Sequence, residues 1–340
     1  MISIPTPKIK YQKYALNISF FLCVAFDNGT CYNKKKPKGS ACPVKATDWK
    51  LGVSSCFLKS LERDAFEEYV KNNVPLMEVS LDWNKYADIK WKELRANAEA
   101  TGVELWSFHL PFEPFEENNI ASPDKTVLKN TLALQSEYIK KAAEAGCKVI
   151  VIHPSAEPNP DNEKAERIKI CKESLAELCE LCEKCGVTLA AENLPRTCIG
   201  NNSAEIKELL RADSRLRVCF DTNHLLAEDC KDFIEAVGDK IITTHISDYD
   251  FMNERHWLPY EGKLDWVKLV TALQDVGYTG PFMYETSYKA PPSITRRDLT
   301  LEDMYKNYLA CVNKEKAEVI GTPNLDVCRE RAYYTTPVIG

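Results

Sequence analysis

The amino-acid sequence predicts an α/β fold, a single (β/α)8 TIM barrel running from about residue 49 to residue 313. Short apolar runs alternate with amphipathic helical stretches, and the eight strand–helix units counted here span close to the ~250 residues typical of this barrel. The runs are rich in Val, Ile and aromatic residues with little polar alternation, as in parallel strands buried on both faces. In addition, all five histidines lie at the end of such a run or in the loop beyond it.

Each predicted element has its own justification in the chain. The predicted strands, in order, are LGVSSC (51–56), LMEVSL (76–81), VELWSFH (103–109), CKVIVIH (147–153), VTLAAEN (187–193), LRVCFD (216–221), KIITTHI (240–246) and PFMYE (281–285). Two long helical stretches close on Gly146 and Gly186, because glycine readily adopts the left-handed conformation that ends a helix. Ser203 and Asp229 suit helix starts, where their oxygens accept from free backbone N–H groups.

A doubly wound open sheet shows the same strand–helix alternation. That fold would place a glycine-rich phosphate loop after its first strand, and the segment 53–60 (VSSCFLKS) contains no glycine. In a barrel, the loops after all the strands gather on one face. The barrel therefore also explains why histidines and carboxylates recur at the strand ends.

Composition excludes some classes of function. The 340 residues are 44% hydrophobic and 28% charged, which is typical of a globular protein with a sizeable core. The net charge of -6 gives no general attraction to nucleic-acid phosphates. No segment approaches the length of a membrane-spanning helix. We therefore expect a small-molecule partner, no nucleic acid and no membrane span, and self-association into a homo-oligomer stays open.

The chain contains 14 cysteines, many of them inside apolar strands or helices, where a thiol packs as a small hydrophobic group. The run Cys179, Cys182 and Cys185 has the C-x-x-C-x-x-C spacing of an iron–sulfur site. It lies in a helical pattern, and a helix spreads such sulfurs over about 120°, which favours ordinary helix packing. Reduced thiols indicate a reducing compartment, so a cytoplasmic location is expected.

The ends of the chain carry little readable signal. Residues 1–48 form an N-terminal extension in which a basic stretch precedes the apolar run 15–26. This pattern suits a secretory signal peptide within residues 1–25, with export as the alternative location, or an irregular arm packed on the barrel. The KKKPKGS stretch that follows suits a linker in either case. Residues 314–340 form a C-terminal extension.

Four residues of metal-ligating types stand at the ends of predicted strands five to eight: Glu192, Asp221, His245 and Glu285. Consecutive barrel strands are neighbours in space, so these side chains are able to meet around one ion. Taken alone, each has an ordinary explanation as a satisfied buried polar group, but four at successive strand ends favour a site. The oxygen-rich set favours Mn²⁺, Mg²⁺ or Co²⁺, with Zn²⁺ as a further candidate.

Such a set suggests a definite chemistry. A bound divalent ion polarises the carbonyl and adjacent hydroxyl of a sugar and stabilises an enediolate. The carboxylates of Glu192 and Glu285 are the catalytic candidates, one removing a proton from the carbon beside the carbonyl and the other returning it.

Five segments together resemble a known family: ENLPR (192–196), FDTNH (220–224), HISD (245–248), RHWLPYEGKLDW (255–266) and YE (284–285). They are similar to the sugar phosphate isomerase/epimerase branch of the xylose-isomerase-like barrels, over residues 50–313. The resemblance implies a metal held by the four strand-end residues, and acid/base roles for the two glutamates as in the ketose 3-epimerases. It predicts a metal-dependent isomerase or epimerase of a ketose or sugar phosphate, acting by proton transfer through a metal-bound enediolate.

Further residues of the predicted rim are candidates for substrate binding: His109, His153, His224, Arg196, Arg255, His256 and Trp257. The arginines and His256 suit a phosphate or hydroxyl end of the substrate. Trp257, Trp83 and Trp106 suit stacking on a sugar face, although a tryptophan in a barrel more often packs in the core. Glu78, at the end of the second strand, either hydrogen-bonds in the pocket or braces it.

Two other functions remain open. The related apurinic-site endonucleases hold three zinc ions with additional histidines and an acidic-Arg-His triplet, and this chain resembles them at His109, His153, His224 and the triplet 254–256. Glu254 stands where that family has aspartate, and the chain lacks a basic stripe for backbone phosphates. A non-catalytic sugar-binding barrel is the third interpretation, which the intact acid–metal set disfavours.

Overall fold

The computed structural model describes residues 44–329. The proposed signal peptide within residues 1–25, the linker at 34–40 and the last residues of the chain lie outside this part. The division into an extension 1–48, a barrel 49–313 and an extension 314–340 therefore stays a prediction.

Eight parallel strands form the sheet: β1 (Leu51–Ser54), β2 (Leu76–Val79), β3 (Glu104–His109), β4 (Val149–Ile152), β5 (Thr188–Glu192), β6 (Arg217–Asp221), β7 (Ile241–His245) and β8 (Phe282–Tyr284). Every strand lies within its predicted run. From β1 to β7, neighbours in the chain are neighbours in the sheet, and β1 also pairs with β8. The predicted (β/α)8 barrel is confirmed.

The barrel closes between β7 and β8 through the residues just beyond β7. Ile246 forms a parallel bridge with Tyr284. The Ile246 N–H donates to the Met283 carbonyl at 2.7 Å, and the Glu285 N–H donates to the Ile246 carbonyl at 3.2 Å. This seam fixes the backbone of Glu285 next to the end of β7, where His245 stands.

Helices follow the strands: α1 (Arg63–Lys71), α2 (Trp91–Thr101), α3 (Lys125–Ala145), α4 (Asp161–Cys185), α5 (Ser203–Leu209), α6 (Cys230–Val237), α7 (Trp266–Asp275) and α8 (Leu301–Asn313). Gly146 and Gly186 end α3 and α4 at φ 107° and 73°, as predicted. Asp229 caps α6. The cap of α5 is Asn202, one residue before the predicted Ser203.

The C-x-x-C-x-x-C run belongs to the last two turns of α4. Cys179 and Cys182 are buried, and Cys185 is half-buried. Burial raises the pKa of the Cys179 thiol from 9.0 to about 12. These thiols pack between α4 and its neighbours, which confirms helix packing as their explanation.

Side chains also fill the barrel interior. Val149, Val151, Ala190 and Cys219 form a buried cluster from three strands, with Trp106 packed against it. The Trp106 indole N–H donates to Thr243 Oγ1 at 3.2 Å. Trp106 thus packs in the core, as a tryptophan in a barrel strand more often does, and is not available to stack on a sugar.

Part of the C-terminal extension returns to the barrel. A short strand β9 (Ile294–Thr295) pairs antiparallel with β10 (Thr322–Pro323). Beyond it, Cys328 packs against Ile294 and Trp257. Among the helices between residues 44 and 329, none combines the length and apolarity that crossing a membrane requires.

Candidate metal centre

The four predicted ligands converge at the carboxyl-terminal mouth of the barrel. Glu192, Asp221 and His245 are the last residues of β5, β6 and β7, and Glu285 directly follows β8. One ligand atom from each lies within 4.8 Å of the others. His245 Nδ1 is 3.1 Å from Glu285 Oε2 and 3.2 Å from Glu192 Oε1.

The ring of His245 is oriented by Glu78 at the carboxyl end of β2. The two side chains are fully buried, with His245 Nε2 3.0 Å from Glu78 Oε2. The same oxygen accepts from Ser107 Oγ at 2.8 Å. With the Nε2–H donated to Glu78, the lone pair of Nδ1 faces the three other ligands. Glu78 therefore orients the ring of a predicted ligand without belonging to the predicted ligand set.

Asp221 indicates that the group fits a cation. Its Oδ1 accepts from the Asn223 N–H at 2.6 Å, but its buried Oδ2 has no hydrogen-bond partner among the described residues. Burial, together with the negative charges of Glu192 and Glu285, raises the pKa of Asp221 to about 7. A divalent ion would offset this repulsion and coordinate the free oxygen, and the oxygen-rich donors suit such an ion.

Glu192 is held ionised at the middle of the site. Burial would raise the pKa of its carboxyl, but the charge of His245 and hydrogen bonds from three other histidines hold it well below its usual range. Those histidines are His109, His153 and His224. This carboxylate is therefore negatively charged throughout the neutral range.

Two of these histidines form a second group of ligand atoms with Glu192. His109 Nδ1 lies 2.9 Å from the Leu110 carbonyl, which accepts its proton, and its Nε2 lies 3.1 Å from Glu192 Oε2. His153 Nε2 lies 3.3 Å from the same oxygen. His109 Nε2–H thus donates a hydrogen bond to the Glu192 carboxylate.

The triplet at 254–256 contributes to a third group, formed by His224, Glu254 and His256. His224 Nδ1 lies 2.9 Å from the Asn193 carbonyl, and its Nε2 lies 3.2 Å from Glu254 Oε2. His256 Nδ1 lies 3.2 Å from the Glu285 carbonyl. The longer glutamate side chain reaches the two histidines despite replacing the expected aspartate.

Arg196 lines the site, but its guanidinium is engaged with protein groups. It donates to both Glu157 oxygens, to Glu254 at 2.8 Å and to Asn253 at 3.0 Å. The pKa of Arg196 is raised, because the gain from Glu157 and Glu254 exceeds the cost of burial. The predicted substrate-binding arginine thus holds Glu254. Glu157, in the loop after β4, was not predicted from the sequence as a site residue.

Arg255 and Trp257 are not brought to the site. Arg255 pairs with Asp250 at 2.9 Å. Trp257 is fully buried and donates its indole N–H to Ser293 Oγ at 3.0 Å. The commoner role of a tryptophan as a core residue explains its position, and its ring has no face open to a sugar. Trp83 is exposed on the rim, after β2.

A cavity of about 260 Å³ lies over the centre. Its walls include Phe112 and Phe115, which sequence reasoning missed. The ring of Phe112 stacks on His153 with centroids 4.1 Å apart and planes 21° apart. The signal was the PFEPF segment directly after His109, in a loop at the carboxyl end of a strand. The arrangement is a buried, charged centre under a small, partly aromatic cleft.

Comparison with known proteins agrees with this architecture. Residues 58–305 match the family model described as a xylose isomerase-like TIM barrel. An uncharacterized protein of Methanocaldococcus jannaschii is 27% identical over 299 residues, covering 84% of this chain and 98% of its own. The D-psicose 3-epimerase of Ruminiclostridium cellulolyticum is 25% identical over 210 residues, 59% of this chain and 69% of its own.

Among solved structures, a D-tagatose 3-epimerase-like protein has a TM-score of 0.66 at 24% identity and covers 78% of this chain and 98% of its own. At that identity the likeness concerns the fold. The family model covers most of the chain, so the protein belongs to the xylose isomerase-like TIM barrel family.

Proposed function

We propose that this protein is a metal-dependent sugar epimerase or isomerase that acts on a ketose or a derivative of one. The observation that carries the proposal is the placement of Glu192 and Glu285 in one group of ligand atoms with Asp221 and His245. The similarity to a D-psicose 3-epimerase supports it. Relatives with uncharacterized functions leave the individual sugar open.

In the proposed reaction, the metal ion and the two glutamates have separate roles. A divalent ion held by the four residues would polarise the sugar carbonyl and acidify the neighbouring C–H bond. Glu192 and Glu285 come from β5 and the end of β8, so they approach a bound sugar from different sides. One removes the proton beside the carbonyl, and the other delivers a proton to the same carbon or its neighbour. The first glutamate is ionised when it removes its proton, and the second must already carry the proton that it delivers.

The surrounding histidines suit the hydroxyl groups of the sugar. His153, His224 and His256 line the cavity, and their ring nitrogens donate to or accept from hydroxyls. Phe112 and Phe115 cover one wall and limit access of water. These roles, like the metal ligands, are part of the proposal.

The test is incubation of the metal-loaded protein with free ketoses and ketose phosphates in D₂O, followed by mass spectrometry. We expect deuterium to appear on the carbon beside the carbonyl. Glu192→Gln and Glu285→Gln should each reduce exchange by about 10²–10⁴-fold, the scale of a lost general base. Absence of exchange with every sugar would reject the proposal.

A second candidate is a hydrolase with several zinc ions, related to the apurinic-site endonucleases. It is favoured by the two further groups of ligand atoms around His109, His153, His224 and His256. In His109 and His224 the Nδ1 proton is taken by a backbone carbonyl, a common arrangement for metal-binding histidines. Three zinc ions per chain together with cleavage of an abasic DNA duplex would establish this function. One ion per chain with sugar exchange would exclude it.

A further inference from the structure

A second, larger cavity of about 680 Å³ opens beside the first at the mouth of the barrel. Loops after β1, β2 and β8 form most of its walls, whereas the 260 Å³ cavity lies on the β3 to β7 side. The two cavities share Glu285 and His256 in their walls. A ligand held at the candidate metal centre is therefore able to extend into the larger cavity.

The volumes of the two cavities indicate how large a substrate the site is able to hold. Pockets for small molecules typically measure ~300–1,000 Å³. The smaller cavity lies just below this range and the larger one well within it. A sugar that reacts at Glu285 therefore fills only part of the available space, and the larger cavity has room for a further ring.

The walls of the larger cavity include two aromatic rings, Phe57 after β1 and Tyr288 after β8. Their centroids are 5.5 Å apart with the planes at 86°. Phe57 is buried and supports Tyr288, which is 38% exposed. An exposed ring with a buried partner offers a fixed face for the C–H surface of a sugar ring.

The walls of this larger cavity carry few cationic side chains. Lys59 Nζ lies 3.1 Å from Asp82 Oδ1, so this lysine is already paired. The other charged groups of the walls are Lys289 and Glu285, and Glu285 belongs to the candidate metal centre, so Lys289 is the one remaining lysine among the described wall residues. A phosphate site needs an excess of cationic donors. The balance here favours an uncharged ligand with hydroxyl groups.

The wall that carries Tyr288 is held by several hydrogen bonds. Arg296 donates to the Ser287 carbonyl at 2.8 Å and to the Tyr288 carbonyl at 3.2 Å. The Leu299 N–H donates to the Tyr288 carbonyl at 3.0 Å. The Ser287 N–H donates to the His256 carbonyl at 3.3 Å. The wall that carries Tyr288 is therefore held in place by the protein's own hydrogen bonds.

We propose that this cavity binds an uncharged sugar ring joined by a glycosidic bond to the reacting ketose. The substrate is then a ketose glycoside instead of a ketose phosphate. This inference rests on the proposed sugar epimerase or isomerase function and adds the class of its substrate.

The test is calorimetric binding to the full-length, Mn²⁺-loaded protein. The probes are D-fructose, D-fructose 6-phosphate and the two disaccharides in which glucose is attached to O1 or O6 of D-fructose. At least one disaccharide should bind about tenfold more tightly than D-fructose and more tightly than the phosphate. Tyr288→Ala should weaken disaccharide binding by about tenfold and leave D-fructose binding unchanged.

Trp83→Ala is the matched control, because Trp83 is an exposed aromatic residue of the same rim (52% exposed) outside the walls of both cavities. It should change binding of none of the probes. Equal affinity for D-fructose and both disaccharides, tighter binding of the phosphate, or an unaffected Tyr288→Ala variant would overturn the inference. Binding does not depend on turnover, so a lack of deuterium exchange rejects the catalytic proposal while calorimetry still decides the cavity.

Discussion

At the scale of single residues, the ring of His245 lies between carboxylates from opposite sides of the barrel. Glu78 from β2 contacts Nε2 at 3.0 Å, and Glu192 and Glu285 contact Nδ1 at 3.2 and 3.1 Å. A carboxylate that hydrogen-bonds to a metal-binding histidine fixes the orientation of the ring. Removing such a carboxylate typically weakens metal binding by about 10–100-fold. Glu78 acts through His245, so its role is positional.

Glu78→Gln should weaken Mn²⁺ binding by about 10–100-fold, because the amide holds the imidazole less firmly and removes a negative charge. Titration calorimetry on the apoprotein measures this change, with circular dichroism as a check of the fold. Glu104→Gln is the matched control, since Glu104 begins β3 at the far end of the barrel and is partly exposed. Unchanged metal affinity in Glu78→Gln would show that Glu78 only fills space.

Arg196 connects three loops at the same scale. It occupies the left-handed region at φ 52°, which costs a non-glycine residue energy. Its ion pairs with Glu157 and Glu254 join the loops after β4 and β7 to its own after β5. Removing one partner of a buried ion pair strongly destabilises the folded protein, because the other charge stays buried without compensation. The strained backbone is thus held by contacts from remote parts of the chain.

At the scale of secondary-structure elements, the start of α8 is the best capped helix terminus of the barrel region described here. Thr300 Oγ1 accepts from the Asp303 N–H at 3.2 Å, and the Asp303 carboxylate accepts from the Thr300 N–H at 2.8 Å. Arg297 adds two charge-assisted hydrogen bonds to this carboxylate, both at 2.7 Å. Reciprocal capping of this kind satisfies backbone donors that the helix leaves free.

Asp303→Ala should lower the free energy of unfolding by about 1–2 kcal/mol at neutral pH. Burial would raise the pKa of Asp303, but hydrogen bonds from Arg297 and Thr300 lower it on balance. A lowered folded-state pKa means that the contribution is complete above the unfolded-state pKa and is lost as the pH falls through the folded-state value. Urea unfolding at neutral and acidic pH measures both effects.

Glu302→Ala serves as control for this variant, since Glu302 lies in the same turn but is exposed, and its ion pair among residues 44–329 is with Lys306. It should change stability by less than about 0.5 kcal/mol. The capping role of Asp303 would be contradicted if Asp303→Ala and Glu302→Ala lowered the free energy of unfolding equally. It would also be contradicted if the difference in free energy between the two variants stayed the same at acidic pH.

At the scale of the whole molecule, the candidate centre depends on closure of the barrel. The ligands come from four consecutive strand ends, and the last of them follows the seam between β7 and β8. An ion bound there would connect β8 to β5, β6 and β7 across the seam, which is otherwise joined through the bridge between Ile246 and Tyr284. Metal binding and barrel stability should therefore be coupled.

Chelation of the metal should lower the melting temperature, and Mn²⁺, Co²⁺ or Mg²⁺ should restore it. At a free metal concentration about 100 times the Kd, the stabilisation is ~2.7 kcal/mol, or roughly 5–10 °C for a domain of this size. Differential scanning fluorimetry measures the shift. His245→Ala should fold but show no response to metal. A response to metal in His245→Ala equal to that of the wild type would place the ion elsewhere.

The sequence by itself determined the order of strands and helices and the positions of the chemical groups along it. Strands β1 to β8 lie within the predicted runs, and Gly146 and Gly186 end their helices as predicted. These features depend on local properties, namely the period of apolar residues and the conformational freedom of glycine. Since parallel barrel strands end on one face, the meeting of His245 with Glu192 also followed from sequence.

Only the tertiary structure decided what each side chain contacts. The partners of His245 and Arg196 come from elements distant in the chain, with Glu78 167 residues from His245 and Glu254 58 residues from Arg196. The same holds for the burial of Trp257 and for the cavity beside Tyr288, which several loops build together. Side-chain direction, burial and hydrogen-bond partners depend on packing between remote elements, and a local sequence pattern contains no record of that packing.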